Sequence, residues 1–566
     1  MGVRQQEASQ VQSALCVMFV AYIFYVLVLI IYNYSLVSYK TSELILIGKK
    51  LYTLFENKSY TAFYDIPYAR PPINELRFKP PKYISFFENG IYDYSRPCCK
   101  TCAIVNNEDC LYLSIYSPNI GNKTKQYPVL VWANEYSNLH GPDFFIDENI
   151  IVVTVSFRFS IFGFLNTEDD YAEGNMGAKD ILMALKWLRE NIMIFNGDPN
   201  RVTIIGSGLA STPVASMLVS IAADDLFKRA IILDGSALSP AEYRHNNLEV
   251  AHKLYRRLNR NFDLFNIKKL YKIIDDTSSA ELVLASSNLY DSTEVRDSQR
   301  LINSFGCSLE MSSKMPFMTQ SPVDVYNGKN INNNIQVIFG YTTLTNLYKL
   351  NGLAKNRELL AYLNYNFQYL LPFEGECNEY DSKRYREIKK EILDFYFLNG
   401  TIGKRSLKRY AKYVSDQDIY PLLRQATLHN RSSDSDVYLY RFAFKGSLNT
   451  GWRSSVPNLE WTGATLGDET CYLFKCKSET DVYKSLKCNE RHFIKKIVRL
   501  LANFVKHGNP TPNPRDNILD TLQWMPLGRN ENLQAMNFGQ HLRMVDVPEE
   551  KRKHFWDRLM KEYFHD

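Results

Sequence analysis

A candidate nucleophile turn lies at residues 201–216, RVTIIGSGLASTPVAS. A β-branched run stops at Gly206 and small residues follow, which is the pattern of a buried strand that turns sharply into a helix. In such a turn the pattern G-x-S-x-G presents a serine for acyl transfer. Here the five residues are Gly-Ser-Gly-Leu-Ala, so Gly208 stands where the serine belongs. Because glycine has no side chain, the sequence predicts no nucleophile at this position.

Ser207 is the alternative nucleophile. A shift of the turn by one residue would place its hydroxyl at the reactive position. The same shift would put Ile205 where the turn needs its first glycine, at a tightly packed point. We therefore keep Ser207 as the alternative and expect the unshifted turn.

Short apolar strands alternate with amphipathic helices around this turn. Buried strands are predicted at residues 129–132, 150–157, 202–205 and 230–233, with a helix at 180–191. Strands separated by helices in this order predict an α/β fold with a mostly parallel sheet covered on both faces. Residues 43–566 contain no internal repeat or low-complexity tract, so we expect one large domain. Its carboxyl third is helix-rich, and the clearest helical periods are at 493–506 and 549–563.

The charge distribution argues against a nucleic-acid partner. The net charge of +6 comes from 67 basic and 61 acidic residues, and the basic clusters at 404–412 and 551–553 are short or interrupted. Short runs of this kind are usually solvated helix surface. We expect no nucleic-acid binding and no cofactor.

An apolar segment near the amino terminus predicts a membrane anchor. Residues 14–32 contain no charge and no helix breaker, and about 20 apolar residues span a bilayer as a helix. The apolar core of a cleaved signal peptide is shorter, about 7–15 residues. We therefore expect a short cytoplasmic tail (1–13), a transmembrane signal-anchor (14–32) and a juxtamembrane stretch (33–42). If the segment is cleaved, the protein is secreted.

Glycosylation signals favour an extracellular position for the body. Each N-x-S/T acceptor lies beyond the apolar segment. The five acceptors are Asn33, Asn57, Asn122, Asn399 and Asn430. Together with ten cysteines they favour an oxidising compartment, so the sequence predicts a single-pass type II membrane protein.

Longer stretches of the body resemble a known family. The clearest are YDIPYARPPINELRFKPP at 64–81, NNEDCLYLSIYSP at 106–118, IVVTVSFRFSIFGFL at 151–165 and GNMGAKDILMALKWLRENIMIFNGDPNRVTIIG at 174–206. Further matches are LFKRAIILDGSAL at 226–238, VYLYRF at 437–442, FVKHGNPTPNP at 504–514 and HFWDRL at 554–559. In this order they resemble the carboxylesterase/cholinesterase family. The resemblance implies an α/β-hydrolase fold with a large, mostly parallel central sheet. It also implies two structural ion pairs, Arg77 with Glu108 and Arg158 with Asp180.

The cysteines between positions 98 and 110 favour a disulfide over a metal site. A zinc site at Cys99-x-x-Cys102 would need a second ligand pair, and no histidine follows before His140. The resemblance implies that Cys110 pairs with one of Cys98, Cys99 or Cys102, and the sequence leaves the choice open. We expect no metal.

The family's acid and base are replaced in this chain. The carboxylate belongs in a segment that reads GYTTLTN at 340–346, where Thr345 takes its place. The histidine belongs in GATLGDE at 463–469, where Leu466 takes its place. Neither side chain can take part in proton transfer at neutral pH.

The oxyanion loop is replaced as well. In the family a glycine-rich loop follows the strand VLVW, because backbone amides surround an oxyanion only where no side chain intrudes. This chain continues with Asn134, Glu135, Tyr136 and Ser137. The carboxylate of Glu135 would lie where negative charge must develop.

These four replacements predict that the chain is not an enzyme. In lacking the triad it is similar to neurotactin, neuroligin, gliotactin and glutactin, whose cholinesterase-like ectodomains act in cell adhesion. We therefore expect a catalytically inactive ectodomain with an extracellular protein partner, and a homodimer is possible through the carboxyl-terminal helices. The alternatives are a carrier of a small apolar ligand and a residual carboxylic ester hydrolase that uses Ser207.

Overall fold

The computed structural model describes most of residues 35–564, together with Met18. The gaps of three or more residues are 41–43, 85–89, 103–106, 121–124, 240–242, 260–263, 290–303, 332–334, 368–381 and 450–461. The predicted tail and anchor lie outside the described residues, apart from Met18, as do Asn33, Cys99, Asn122 and Asn399. Within the described part of the chain, no helix is both long enough and apolar enough to cross a membrane.

A sheet of thirteen strands forms the centre of the described structure. Counting those outside this sheet as well, the described strands are, in chain order, β1 (Leu36–Lys40), β2 (Leu44–Tyr52), β3 (Ser59–Pro67), β4 (Gly90–Asp93), β5 (Tyr112–Ser117), β6 (Tyr127–Ala133), β7 (His140–Gly141), β8 (Ile151–Val155), β9 (Gly197–Gly206), β10 (Arg229–Leu233), β11 (Tyr243–Arg244), β12 (Cys307–Ser308), β13 (Gln336–Thr342), β14 (Val437–Phe442), β15 (Lys475–Cys476), β16 (Gln534–Phe538) and β17 (Leu542–Asp546). The pairs β7–β15 and β11–β12 form two small separate ladders.

The central sheet is mostly parallel, as the sequence predicts. Its strand order is β1-β2-β3-β5-β8-β6-β9-β10-β13-β14-β16-β17, with β4 beside β2. The run from β8 to β16 is parallel throughout. The strands outside this run pair antiparallel, apart from β4. The carboxyl ends of β6, β9, β10 and β13 therefore lie next to one another at one edge, where α/β sheets bind their ligands.

Helices cover the sheet. They are α1 (Asp143–Asp147), α2 (Ser160–Phe164), α3 (Met176–Asn191), α4 (Ser211–Met217), α5 (Asn247–Leu258), α6 (Ile267–Asp276), α7 (Ser279–Ser287), α8 (Pro322–Asn327), α9 (Arg357–Tyr365), α10 (Lys383–Phe397), α11 (Leu407–Ser432), α12 (Thr470–Leu473), α13 (Thr480–Ser485), α14 (Cys488–His507) and α15 (Glu550–Phe564). The predicted helices at 180–191, 493–506 and 549–563 correspond to α3, α14 and α15.

The core lies on both faces of the sheet. Every residue of β6 is buried, and its side chains alternate between the faces, as strand geometry requires. Val129 and Val131 join the apolar cluster of one face, whereas Leu130 and Trp132 join that of the other. The continuous apolar run VLVW is therefore a strand covered on both sides.

Two ion pairs tie loops to this framework. The guanidinium of Arg158 contacts both carboxylate oxygens of Asp180, at 2.7 and 2.8 Å, and both side chains are almost fully buried. Arg77 contacts Glu108 in the same bidentate manner, at 2.6 and 2.8 Å, in a half-buried position. Bidentate geometry of this kind makes the strongest arginine–carboxylate contacts.

Disulfides close two short loops. Cys110 is bonded to Cys102, while Cys98 is a free, exposed thiol. A second disulfide joins Cys471 to Cys476, and the sequence pattern did not identify it. Cys488 is a further exposed free thiol.

Asp180→Asn should destabilise the fold strongly. The substitution leaves the buried guanidinium of Arg158 without its counter-charge, which costs roughly 3–5 kcal/mol in buried pairs. Urea unfolding followed by circular dichroism measures the free energy of unfolding. Asp481→Asn is the matched control, because Asp481 pairs with Lys484 on the exposed surface, and it should leave stability unchanged. An equal effect of both substitutions would contradict the structural role of the Arg158–Asp180 pair.

Candidate active site

The turn after β9 has the unshifted geometry that the sequence favours. Gly206 ends the strand, and a Cβ at this position would lie only 2.7 Å from the Cβ of Val214 in α4. Gly208 adopts φ +59°, in the left-handed region that favours glycine. A short 3-10 turn at Gly208–Ala210 leads into α4. Gly208 therefore has the left-handed backbone conformation that the unshifted turn requires at this position.

The carboxylate of Glu135 fills the space above Gly208. A Cβ at Gly208 would lie 2.5 and 2.6 Å from the two carboxylate oxygens. The backbone N–H of Leu209 donates a hydrogen bond to Glu135 Oε2 at 3.0 Å. In this kind of turn, the N–H after the nucleophile normally contributes to the oxyanion hole. The Glu135 carboxylate thus occupies the space of a side chain at position 208 and also binds the amide of residue 209.

Glu135 lies in a mostly buried position, which makes its carboxylate a suitable proton acceptor. Burial raises the pKa of Glu135 above its ordinary value, and the hydrogen bond from Leu209 only partly opposes that effect. A carboxylate whose pKa is raised toward neutrality is a better general base than an ordinary surface carboxylate. Gly208 beside it is exposed, so solvent reaches this point.

Ser207 is held by two hydrogen-bond donors. Its hydroxyl oxygen accepts from the indole N–H of Trp132 at 2.9 Å and from the side-chain amide of Asn134 at 3.0 Å. The Ser207 side chain is buried. Neither partner atom can take a proton from the hydroxyl. The structure therefore gives Ser207 no base among the contacts described.

The replaced oxyanion loop is folded back on itself. Asn134 Oδ1 accepts a hydrogen bond from the Tyr136 amide at 2.8 Å, and Tyr136 is exposed. Ser137 begins a short 3-10 turn, Ser137–Leu139. His140 Nδ1 lies 2.9 Å from the Tyr136 carbonyl, and its ring packs edge-on against Trp132. In the part of the chain that the structure describes, no hydrogen bond joins His140 to Ser207.

A carboxyl group from another strand lies beside Thr345. Thr345 donates a hydrogen bond to Asp234 Oδ1 at 3.2 Å, and the backbone N–H of Thr342 donates to the same oxygen at 2.7 Å. Burial raises the pKa of Asp234 to about 6. Sequence reasoning missed Asp234, although its place directly after the predicted strand at 230–233 was a usable signal.

Glu469 is the second carboxyl group of this cluster. It is almost fully buried, and burial together with the charge of Asp234 raises its pKa well above the ordinary value. Tyr440 belongs to the same cluster, because the charges of Glu469 and Asp234 both add to the effect of burial in raising its pKa. Because like charges repel, an ionised Asp234 makes ionisation of Glu469 less favourable.

Leu466 places an apolar side chain at the base position. Its backbone N–H donates to the Thr345 carbonyl at 3.1 Å, which joins the two segments. Leu466 is exposed, with 38% of its surface accessible to solvent. Among the residues described here, no three His, Cys, Asp or Glu side chains are grouped so as to hold a metal ion.

Esterases of known name are similar to this chain over most of its length. Juvenile hormone esterase of Tribolium castaneum is 28% identical over 495 residues, which are 81% of each chain. Venom carboxylesterase-6 of Apis mellifera is 27% identical over 438 residues, covering 74% of this chain and 75% of its own. The crystal structure of juvenile hormone esterase from Manduca sexta, with OTFP covalently attached, superimposes with a TM-score of 0.77 at 21% identity. It covers 93% of this chain and 100% of that chain.

These comparisons overturn the prediction that the chain is not an enzyme. The relatives that align over three quarters or more of their length are named as esterases. The prediction rested on side chains missing at four positions. The structure places two carboxyl groups beside these positions, Glu135 next to Gly208 and Asp234 next to Thr345.

Gly208→Ala should reveal the contact between Gly208 and Glu135. The left-handed φ costs a residue with a Cβ roughly 1–2 kcal/mol, and the new methyl group would also displace Glu135 from the Leu209 amide. Gly400→Ala is the matched control, because Gly400 has φ +70° but no atom lies within 4 Å of the position that its Cβ would take. Urea unfolding should show a larger loss for Gly208→Ala.

A double-mutant cycle separates the two contributions. In an E135A background, Gly208→Ala should cost only the backbone part, so the two substitutions are non-additive. Equal costs of Gly208→Ala with and without Glu135 would contradict the described contact.

The family model that matches this chain is that of the carboxylesterase family, and it covers residues 39–556. The match includes the turn after β9, the segments 340–346 and 463–469 and all the strands of the parallel run. The α/β-hydrolase architecture with its large, mostly parallel sheet agrees with it. On this evidence the chain belongs to the carboxylesterase family.

Proposed function

We propose that this protein is a carboxylic ester hydrolase in which Glu135 acts as a general base on water. The observation that carries the proposal is the position of the Glu135 carboxylate, which lies where a side chain at position 208 would be. Membership of a family whose named relatives are esterases supports the reaction class.

The reaction needs no acyl-enzyme. Glu135 takes a proton from a water molecule, and the water oxygen forms a bond to the ester carbonyl carbon. The tetrahedral intermediate collapses, the carbon–alkoxide bond breaks, and Glu135 returns the proton to the leaving alkoxide. The products are a carboxylic acid and an alcohol. A positioned general base contributes about 10²–10⁴-fold to such a reaction.

We expect this hydrolase to be slow. The amide of Leu209 is engaged by Glu135, and the side chain of Asn134 is engaged by Ser207. Each missing oxyanion donor costs roughly 10²–10³-fold in rate. Gly208, Thr345 and Leu466 take no chemical part in this scheme.

Leu466 provides the observation for a second candidate, binding of a small apolar ligand. Its exposed side chain stands in the place of a polar catalytic group, and apolar lining with few polar groups is typical of small-molecule sites. In the hydrolase proposal the same side chain contacts the apolar part of the ester. The protein partner and the homodimer stay predictions.

An extracellular position of the body is also part of the proposal. The two disulfides, Cys102–Cys110 and Cys471–Cys476, support an oxidising compartment. The described acceptor Asn57 is exposed, whereas the side chain of Asn430 is half-buried and donates to the Gly528 carbonyl. Asn57 is therefore the better glycosylation site of these two.

Glu135→Gln should abolish ester hydrolysis. Glutamine has the same shape but cannot accept the proton, so kcat/KM for 4-nitrophenyl acetate should fall by about 10²–10⁴-fold. Ser207→Ala is the control and should retain the activity of the unaltered protein. A fluorophosphonate probe should not label the protein. Covalent labelling at Ser207, or full activity of Glu135→Gln, would contradict the proposal.

The pH dependence should follow Glu135. A general base works in its ionised form, so kcat/KM should rise with pH and level off above the raised pKa of Glu135. His140 lies near the same loop, and burial lowers its pKa. His140→Gln should therefore leave the profile unchanged. A profile that shifts or flattens in His140→Gln would assign the proton transfer to the imidazole.

A further inference from the structure

The two basic clusters of the sequence, at 404–412 and 551–553, differ in the structure. In the second cluster Arg552 pairs with Asp416 at 2.6 Å, and Lys553 pairs with Asp557 at 2.7 Å. The Arg552 pair joins α15 to α11, so this cluster has a structural role.

The cluster at 404–412 has no such role. All five of its cations are exposed, and none forms an ion pair with any residue that the structure describes. The five are Lys404, Arg405, Lys408, Arg409 and Lys412. Their positive charge is therefore not neutralised by a neighbouring carboxylate in the described part of the chain.

These cations follow one another along the start of one long helix. α11 begins at Leu407, and a 3-10 turn at Lys404–Ser406 leads into it. At about 100° and 1.5 Å per residue, positions 408, 409 and 412 fall within an arc of about 100°, and the cluster extends about 12 Å along the helix axis. We call the five side chains the basic row.

The charges of the basic row are unfavourable for the helix that carries them. The amino terminus of a helix has a partial positive charge, so acidic residues stabilise the first turn and basic residues destabilise it. α11 has no acidic residue in its first turn, and Ser406 does not cap it through its side chain. The helix end therefore adds to the positive potential of the basic row, and a bound polyanion would compensate both.

The surroundings of the basic row favour one kind of polyanion. The charges are spread along the helix, so a small anion would contact only part of the row. Lipid surfaces and single-stranded nucleic acids are bound with the help of apolar or aromatic side chains. Leu407, Tyr410 and Ala411 stand between the cations in the sequence, but all three are buried. A sulfated polysaccharide needs only the cations, and basic runs of this length occur in heparin-binding patches.

We propose that the basic row at the start of α11 binds a sulfated linear polysaccharide. The choice of a polysaccharide also rests on the proposed extracellular position of the body, whereas the binding measurement does not depend on that position. The proposal is independent of the hydrolase reaction. Because all the contacts are exposed, salt should screen them and weaken binding.

Isothermal titration of the full chain with heparin at low salt tests the proposal. Heparin should bind, and its affinity should fall as salt is added. Hyaluronan, a linear polysaccharide with carboxylate groups but no sulfate, should bind more weakly, as should a duplex DNA oligonucleotide. Absence of heparin binding, or equal affinity for either comparison polymer, would overturn the proposal.

A triple variant locates the site. Lys408→Gln, Arg409→Gln and Lys412→Gln together remove three charges of the basic row. An exposed charge contact contributes a factor of up to about five, so the triple variant should weaken heparin binding by about tenfold or more. Its retention on phosphatidylserine vesicles should equal that of the unaltered protein. Unaltered heparin binding, or loss of vesicle binding, would overturn the assignment.

The matched control removes three charges from another surface. Arg257, Lys268 and Lys272 lie on α5 and α6, are exposed, and form no ion pair with the residues described. Their joint replacement by glutamine lowers the net charge by the same amount and should leave heparin binding nearly unchanged. Equal losses in both triple variants would mean that only net charge matters, which would overturn the proposed site.

Two further measurements guard against misfolding. The triple variant of the basic row should be at least as stable in urea as the unaltered protein, because it removes cations from the positive end of α11. A lower stability would contradict the unfavourable placement of these charges. Lys408→Arg with Lys412→Arg keeps the charges and should retain heparin binding. A loss of binding in this double variant would contradict an electrostatic contact.

Discussion

The close approach of helix α4 to the ends of β9 and β10 is the constraint on which the site depends. A Cβ at Gly206 would lie 2.7 Å from Val214, and a Cβ at Gly235 would lie 2.3 Å from the Ser211 hydroxyl. Only glycine fits at both contacts. Because the helix is held this closely, the turn between Gly206 and Ser211 is sharp and places residue 208 at the exposed edge of the sheet.

The same edge gathers residues that are distant in the sequence. Glu135 follows β6, Asp234 follows β10, and Glu469 directly precedes α12. Parallel strands bring their carboxyl ends to one side, which places Glu135 and Asp234 at the same edge of the sheet. Asp234 and Glu469 interact there although more than 200 residues separate them in the sequence.

The fold was predictable from local patterns, whereas the site was only partly so. The runs VLVW and VTIIG fix buried strands because apolar continuity is typical of parallel sheets. The position of Gly208 followed from the packing need at Gly206. In contrast, the contact between Glu135, which follows β6, and the turn after β9 depends on the order of the strands in the sheet and on the conformation of the Glu135 side chain. A local sequence pattern contains neither. Comparison of this chain with the family, position by position, does not find Asp234. The compared position holds Thr345, and the carboxylate beside it comes from a different strand.

The buried pair of Asp234 and Glu469 links the site to proton uptake during folding. Both pKa values are raised in the folded state, so the folded chain keeps a proton that the unfolded chain releases above a pH of about 4. The contribution of the pair to stability is therefore fully present in acid, declines as the pH rises from about 4, and levels off above the folded pKa values. The pair joins a carboxyl group that follows β10 to one from the segment 463–469, and it therefore favours the folded chain in mildly acidic surroundings.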